Sequence, residues 1–262
     1  MAADDDRMID GQGLEPRSFT AGLGRVWDVS FQIMVATMLM VSYFMVRGHV
    51  VDQSAEALAN SLSIVKIERA LGLFWEPTWQ ASIIGYEWVI WFLNQVYIWG
   101  YWPVLVSVGL WTLFRHRDTW FAYRNAIFVS AFIGLLVFVA FPVAPPRLAP
   151  VNMVDTVEAY AQAGELAHPT SLANQYAAVP SFHFGWILLT SLIALRIVRR
   201  RLVRAFWIGL PALMPVTIVV TANHYVLDAV AGGAVSLFAL WASRPWTAWN
   251  IRRQAETIAR RS

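Results

Sequence analysis

Apolar residues in this chain gather into runs instead of alternating or spreading evenly. Six runs, about Val26–Val46, Val96–Phe114, Arg124–Phe141, Phe182–Val198, Leu202–Thr221 and Tyr225–Trp241, approach or reach the roughly 20 residues that a helix needs to cross a bilayer. Pro103 interrupts the second run, and Pro211 and Pro215 lie inside the fifth. Membrane helices tolerate proline when neighbours satisfy the freed carbonyl, so all six stand as spans. An aromatic, semi-polar stretch, IIGYEWVIWFLNQ, leads into the second span, where it lies in the interface or extends the helix. Earlier, SAEALANSLSIVKIERALGLF (residues 54–74) spaces Ala57, Leu58, Leu62, Val65, Ala70 and Leu73 as one helical face. That spacing predicts an amphipathic helix lying on the membrane. The connection 141–181 is long, proline-rich and without clear period, and such loops in compact proteins are often functional. The expected fold is all-α and integral to the membrane: six transmembrane helices, an outer-face amphipathic helix and a long outer loop.

Composition supports this class. Of 262 residues, 58% are hydrophobic and 14% charged, against about half and a quarter in a soluble domain. Fourteen Trp and eight Tyr suit amphipathic rings at headgroup level. With no Cys, disulfides, thiolate metal sites and thiol nucleophiles are excluded. Charge then sets orientation. Arginines cluster at Arg115, Arg117 and Arg124, at Arg199, Arg200, Arg201 and Arg204, and along the tail from Arg244 to Arg261. Across the membrane, segment 47–82 balances Arg47, Lys66 and Arg69 with Asp52, Glu56, Glu68 and Glu76, and segment 142–178 holds Arg147 alone. The positive-inside rule therefore puts both termini in the cytoplasm of a plasma-membrane protein. The amphipathic helix and the long loop then face the extracytoplasmic side. Because spans separate the basic clusters, they are topology signals and not a nucleic-acid surface, despite the net charge of +3. The start, MAADDDRMIDGQGLEPRS, lacks the basic region and short apolar stretch of a cleaved signal peptide. The expected organisation is a flexible cytoplasmic tail over 1–25, a membrane catalytic domain over 26–243 and a basic cytoplasmic tail over 244–262.

A few polar residues stand where the chain enters the bilayer. His183, in AVPSFHFGW, opens the fourth span at its outer end. His224 and Asp228, in TANHYVLDAVAGG, are spaced i,i+4 at the outer end of the sixth and so share one helical face. Gly232 extends that stripe, and with Gly233 it lets a neighbouring helix come close. Arg147, after the double proline of APPRL, lies on the same side. A carboxylate bonded to one ring nitrogen fixes the tautomer of a histidine and leaves the other nitrogen as base or nucleophile. A second histidine can protonate a leaving oxygen, and a guanidinium binds a phosphate bidentately. These are the parts needed for phosphoryl transfer through a phosphohistidine. The structural alternative is a helix-capping His224–Asp228 pair, a capping His183 and a headgroup-anchoring Arg147. A zinc site on His183, His224 and Asp228 is a further alternative, without an HExxH-like signature.

PSFH (180–183) followed by HYVLD (224–228) resembles the second and third signature motifs of the type-2 phosphatidic acid phosphatase superfamily. That superfamily pairs PS(x)H with HxxxD on a six-helix membrane core. FPVAPPRL, NQYAAVPSFHFGW and NHYVLDAVAGG are similar to the branch that contains inositol phosphorylceramide synthases and their bacterial relatives, over residues 54–236. The resemblance implies that His224 is the nucleophile, Asp228 orients it and His183 protonates the leaving group. It also implies that Ser181 and nearby backbone amides help to hold the phosphate. The superfamily's Lys…Arg-Pro first motif has no match here, and Arg147 stands in for it. Thr221-Ala222-Asn223 replaces the Ser-Arg that precedes the third-motif histidine, which leaves Asn223 in the phosphate-binding set. Loss of that arginine moves the expectation from hydrolysis toward head-group transfer. The implied partners are a lipid phosphoester, a hydroxyl acceptor or water, and the bilayer, and the mechanism requires no metal or cofactor. A lipid transporter or scaffold on the same fold is the alternative outside catalysis.

Overall fold

The computed structural model describes residues 16–49, 54–160 and 175–259. Residues 1–15 of the N-terminal tail, 161–174 of the long loop and 260–262 of the basic tail lie outside the described residues. Described in chain order, the helices are α1 (Pro16–His49), α2 (Ser54–Leu71), α3 (Glu76–Ile83), α4 (Glu87–Trp99), α5 (Trp102–Arg115) and α6 (Arg117–Ala140). A 3-10 turn follows at Pro146–Leu148, then α7 (Thr156–Ala159), α8 (Phe182–Ile197), α9 (Arg201–Val220), α10 (Val226–Ala242) and α11 (Arg244–Ala259). Two compact units divide the chain within α1, the first ending at Met38 and the second starting at Leu39. The candidate site lies in the second.

Among the described residues, three helices are long and apolar enough to cross a membrane: Val26–Met45 within α1, α6 and α9. The pair α4–α5, bent by 41°, and the pair α10–α11, bent by 43°, raise the number to five if each is one span. α8 is apolar but has only 16 residues, about 24 Å of helix at 1.5 Å per residue, short of the roughly 30 Å hydrocarbon core. These criteria therefore give three to five spans where run length predicted six. The boundaries differ too. Residues assigned to one second span, Val96–Phe114, belong to two helices, because α4 ends at Gly100 and α5 starts afresh at Trp102. Pro103 lies in the first turn of α5, where its missing N–H breaks no helical bond, so it opens a helix and interrupts none. α6 begins at Arg117, seven residues before the expected start at Arg124. Arg124 is buried there and donates to Asn125 Oδ1 at 2.8 Å and Asn250 Oδ1 at 3.0 Å. It thus ties α11 to α6. α9 runs unbroken through Pro211 and Pro215.

A helix forms over this stretch, and the face that the protein buries is partly polar. Ala57, Ser61, Ile64, Val65 and Glu68 are buried on α2, whereas Leu62 is exposed. Apolar spacing puts Leu58 and Leu62 on the face expected to lie on the membrane. Ser61 and Glu68 are buried because both find polar partners at the start of α10, Tyr225 and the Leu227 N–H, and a satisfied polar group can be buried.

The site stands on the packing of α10 against α8 and α6, with α8 also against α9. Two polar ties cross the apolar interior between α6 and α8. Trp186 Nε1 donates to Ser130 Oγ at 3.0 Å, and the Tyr123 and Thr190 hydroxyls are 3.0 Å apart. Where α8 meets α10 the approach is backbone to backbone. A Cβ on Gly232 would strike the Ser181 carbonyl, and one on Gly185 would strike the Gly232 carbonyl. Glycine is what lets these helix ends touch.

Candidate active site

Three sequence segments far apart in the chain meet at the start of α10. A single parallel bridge pairs Val143 with Ala177, where Val143 N–H donates to the Tyr176 carbonyl at 2.7 Å. This lays the segment leading to Arg147 beside the one leading to His183. Arg147 N–H then donates to the Ala222 carbonyl at 3.0 Å, and Ser181 N–H to the Asp228 carbonyl at 2.9 Å. Ala222 adopts φ +57°, a left-handed conformation that costs a non-glycine residue about 1–2 kcal/mol. Such strain concentrates at functional sites, and here it turns the chain from α9 so that Asn223 and His224 face the loop.

His224 is almost fully buried. Its Nδ1 lies 2.9 Å from the Ala178 carbonyl and 3.3 Å from Asp228 Oδ2. A carbonyl only accepts, so Nδ1 carries the proton and Nε2 keeps its lone pair. Asp228, itself fully buried, also accepts from Tyr225 N–H at 2.9 Å. The carboxylate therefore orients the imidazole and caps the helix that carries it. The His183 ring centroid is 5.7 Å from that of His224. Tyr97 and Tyr101 lie against His183, with centroids 4.5 Å and 4.4 Å away.

Arg147 reaches the same place by way of Asn223. Its Nη1 donates to Asn223 Oδ1 at 2.6 Å, and its Nε pairs with Asp155 Oδ2 at 3.2 Å. Asn223 is held in turn by Nδ2 bonds to the Thr221 carbonyl and hydroxyl at 3.1 Å and 3.0 Å. In this structure Asn223 thus positions the guanidinium. The loop segment behind Arg147 is anchored by buried amides. Gln80 Nε2 donates to the Val154 and Val220 carbonyls, both at 2.8 Å, and Asn94 exchanges two 2.8 Å bonds with Thr156. Ser181 Oγ is fully buried without a hydrogen-bond partner. His183, His224, Asp228, Arg147, Ser181 and Asn223 are thus brought to one end of the α8–α10 pair. No group of three His, Asp or Glu among the described residues is arranged to hold a metal ion.

Several participants were invisible from sequence spacing. In sequence, Glu68 and Glu76 count only toward the charge balance of segment 47–82, yet both are fully buried against the first turn of α10. The stripe Ser61–Glu68, seven residues apart on an otherwise apolar helix face, was the available signal. Asp155, Tyr97 and Tyr101 carry no motif. The Ala178 carbonyl is a backbone atom that no residue type announces.

No curated protein and no solved structure matches the chain. A family model described as the PAP2 superfamily matches residues 62–242, a stretch that runs from α2 through α10 and includes both histidines, Asp228 and Arg147. That match takes in more than half of the chain, and the membrane-type helices and the paired PSFH and HYVLD segments agree with it. This chain belongs to the PAP2 superfamily.

Proposed function

We propose that the protein is a membrane lipid phosphotransferase that works through a phosphohistidine on His224, at the extracytoplasmic leaflet, with head-group transfer favoured over hydrolysis. Superfamily membership supports phosphatase-type phosphoester chemistry on a lipid substrate in a membrane. One observation carries the finer reading: His224 has Nδ1 committed to Ala178 and Asp228, which frees Nε2, while the His183 ring lies 5.7 Å away. Nε2 attacks phosphorus and the bond to the lipid alcohol breaks. His183, as imidazolium, gives its proton to the departing oxygen. In the second half, an acceptor hydroxyl passes its proton to His183 and attacks phosphorus. The P–N bond then breaks and its electrons return to Nε2. Arg147, held by Asn223 and Asp155, supports charge on the phosphoryl oxygens, and Ser181 Oγ is a candidate donor to them. The PPRL, PSFH and NHYVLD segments favour the branch resembling inositol phosphorylceramide synthase. Absence of an arginine at Asn223 is the reason to favour transfer over hydrolysis.

The test incubates purified protein in vesicles with labelled phospholipids and polyprenyl phosphates, with and without polyol and lipid-alcohol acceptors. Released phosphate is then separated from new lipids. His224→Ala and His183→Ala are expected to abolish turnover while the thermal midpoint is kept, and vanadate is expected to inhibit. Acid-labile label should appear on the wild-type protein and not on His224→Ala. Full activity in either alanine variant overturns the mechanism, release of phosphate alone makes the enzyme a hydrolase, and lipid movement without either product makes it a transporter.

A further inference from the structure

The first turn of α10 has more carboxyl groups around it than a helix start requires. A helix leaves its first N–H groups without internal partners, and one acidic side chain commonly satisfies one of them. Here three carboxyls take three successive amides. Asp228 Oδ2 accepts from Tyr225 N–H at 2.9 Å, Glu76 Oε1 from Val226 N–H at 2.8 Å and Glu68 Oε1 from Leu227 N–H at 2.8 Å. Glu68 comes from α2 and Glu76 from the start of α3, and both are fully buried. Their second oxygens, Oε2 in each case, are buried without a hydrogen-bond partner.

Two ionised carboxylates facing one another beside Asp228 would set three negative charges in a dry pocket. The groups around Glu68 are Glu76 from α3, Asp228 from α10, His224 bonded to Asp228, and Tyr225, whose hydroxyl is 2.5 Å from Ser61 Oγ. The nearby cations are turned elsewhere, Arg69 over the Phe74 ring and Arg147 toward Asp155. One proton between the two glutamates would satisfy an orphaned oxygen on each side and remove one charge. We propose that Glu68 and Glu76 hold one proton between them and act as a positioning pair that fixes the first turn of α10, and through it His224 and Asp228, for attack. This role rests on the reading of His224 as the nucleophile. Two further facts agree with it. Burial, and then the neighbouring Glu76 and Asp228, push the Glu68 carboxyl up to about 9, against an opposing pull from Leu227 N–H. The amides that the pair holds are also two and three residues from His224, on the backbone that carries it.

The sign of the pH effect follows from linkage. The unfolded chain releases this proton near 4.5 and the folded chain near 9. Between those values the folded state alone holds it, so stability falls as pH rises and levels off above about 9. Glu68→Gln replaces the protonated member. Its carbonyl accepts from Leu227 N–H, its amide donates to Glu76, and the shared proton is gone. The experiment measures thermal midpoint and turnover from pH 6 to 10 for wild type, Glu68→Gln and Glu76→Gln. It also measures amide exchange at Val226 and Leu227 in these proteins and in Glu68→Ala. Wild type should lose thermal midpoint steadily from pH 6 to about 9 and little above it, and lose turnover as pH passes about 9. Glu68→Gln should flatten the thermal slope, move the alkaline loss of turnover up by a pH unit or more, and keep Val226 and Leu227 protected. Glu68→Ala should speed exchange at Leu227 by at least tenfold. Parallel pH profiles for wild type and both glutamine variants overturn the shared proton. Unchanged exchange in Glu68→Ala overturns the positioning role. If wild type shows no phosphoester turnover, the catalytic reading fails, while the thermal and exchange measurements still decide the pair.

Discussion

His224, the proposed nucleophile, needs its lone pair aimed and its other nitrogen occupied, and a main-chain carbonyl shares that task with the carboxylate. Asp228 is the partner that spacing identifies, yet the Ala178 carbonyl is nearer, at 2.9 Å against 3.3 Å. His183 depends on its surroundings in another way. The faces of Tyr97 and Tyr101 lie within 4.5 Å of its ring, and aromatic faces attract a cation by about 0.5–2 kcal/mol. If His183 must be an imidazolium when the leaving oxygen departs, removal of one ring destabilises that protonated form and leaves His224 intact. Tyr97→Leu is therefore expected to lower kcat by about 2- to 30-fold, the same energy expressed as a rate, with KM little changed. A substrate whose leaving group needs no protonation, such as an aryl phosphoester, should be spared. Equal losses on both substrates would assign Tyr97 to packing.

Among the elements, α8 and α10 act as one unit because their backbones touch at Gly185, Gly232 and Ser181. The contact delivers His183 to His224, and the Ser181 N–H bond to the Asp228 carbonyl closes it. A methyl group at Gly232 has nowhere to go except against the Ser181 main chain. Overpacking of this kind costs about 1–3 kcal/mol, and here it also pushes the two histidines apart. Gly232→Ala should lower both the thermal midpoint and turnover, whereas Gly209→Ala on α9, where a Cβ meets nothing within 4 Å, should leave both unchanged or slightly raise stability. Turnover tracking the wild type in Gly232→Ala would show that the close approach is dispensable.

Orientation belongs to the whole molecule. The positive-inside distribution of arginine predicts that the site faces away from the cytoplasm. The chain has no Cys, so single cysteines report sidedness on a clean background. Val154→Cys, exposed on the loop near the site, is expected to react with an impermeant maleimide on intact cells. Arg200→Cys, between α8 and α9, is expected to react only after permeabilisation. The reverse pattern would move the substrate to the inner leaflet. The sequence by itself determined the membrane class and the positions of most helices and singled out His183, His224 and Asp228 as candidates, because long apolar runs and short polar motifs are local signals. Helix ends were less legible. The α4–α5 break and the early start of α6 depend on a capping glycine, a first-turn proline and an arginine that α11 buries. The protein-facing side of α2 is illegible for the same reason: Ser61 and Glu68 become interior only when α10 supplies their partners. Only the tertiary structure decided that Ala178 sets the tautomer of His224, that Asn223 and Asp155 hold Arg147, and that Glu68 and Glu76 cap α10. Each of these is a hydrogen bond between segments distant in the chain. Such a bond has no periodicity to read, and its energy depends on the burial that folding alone creates.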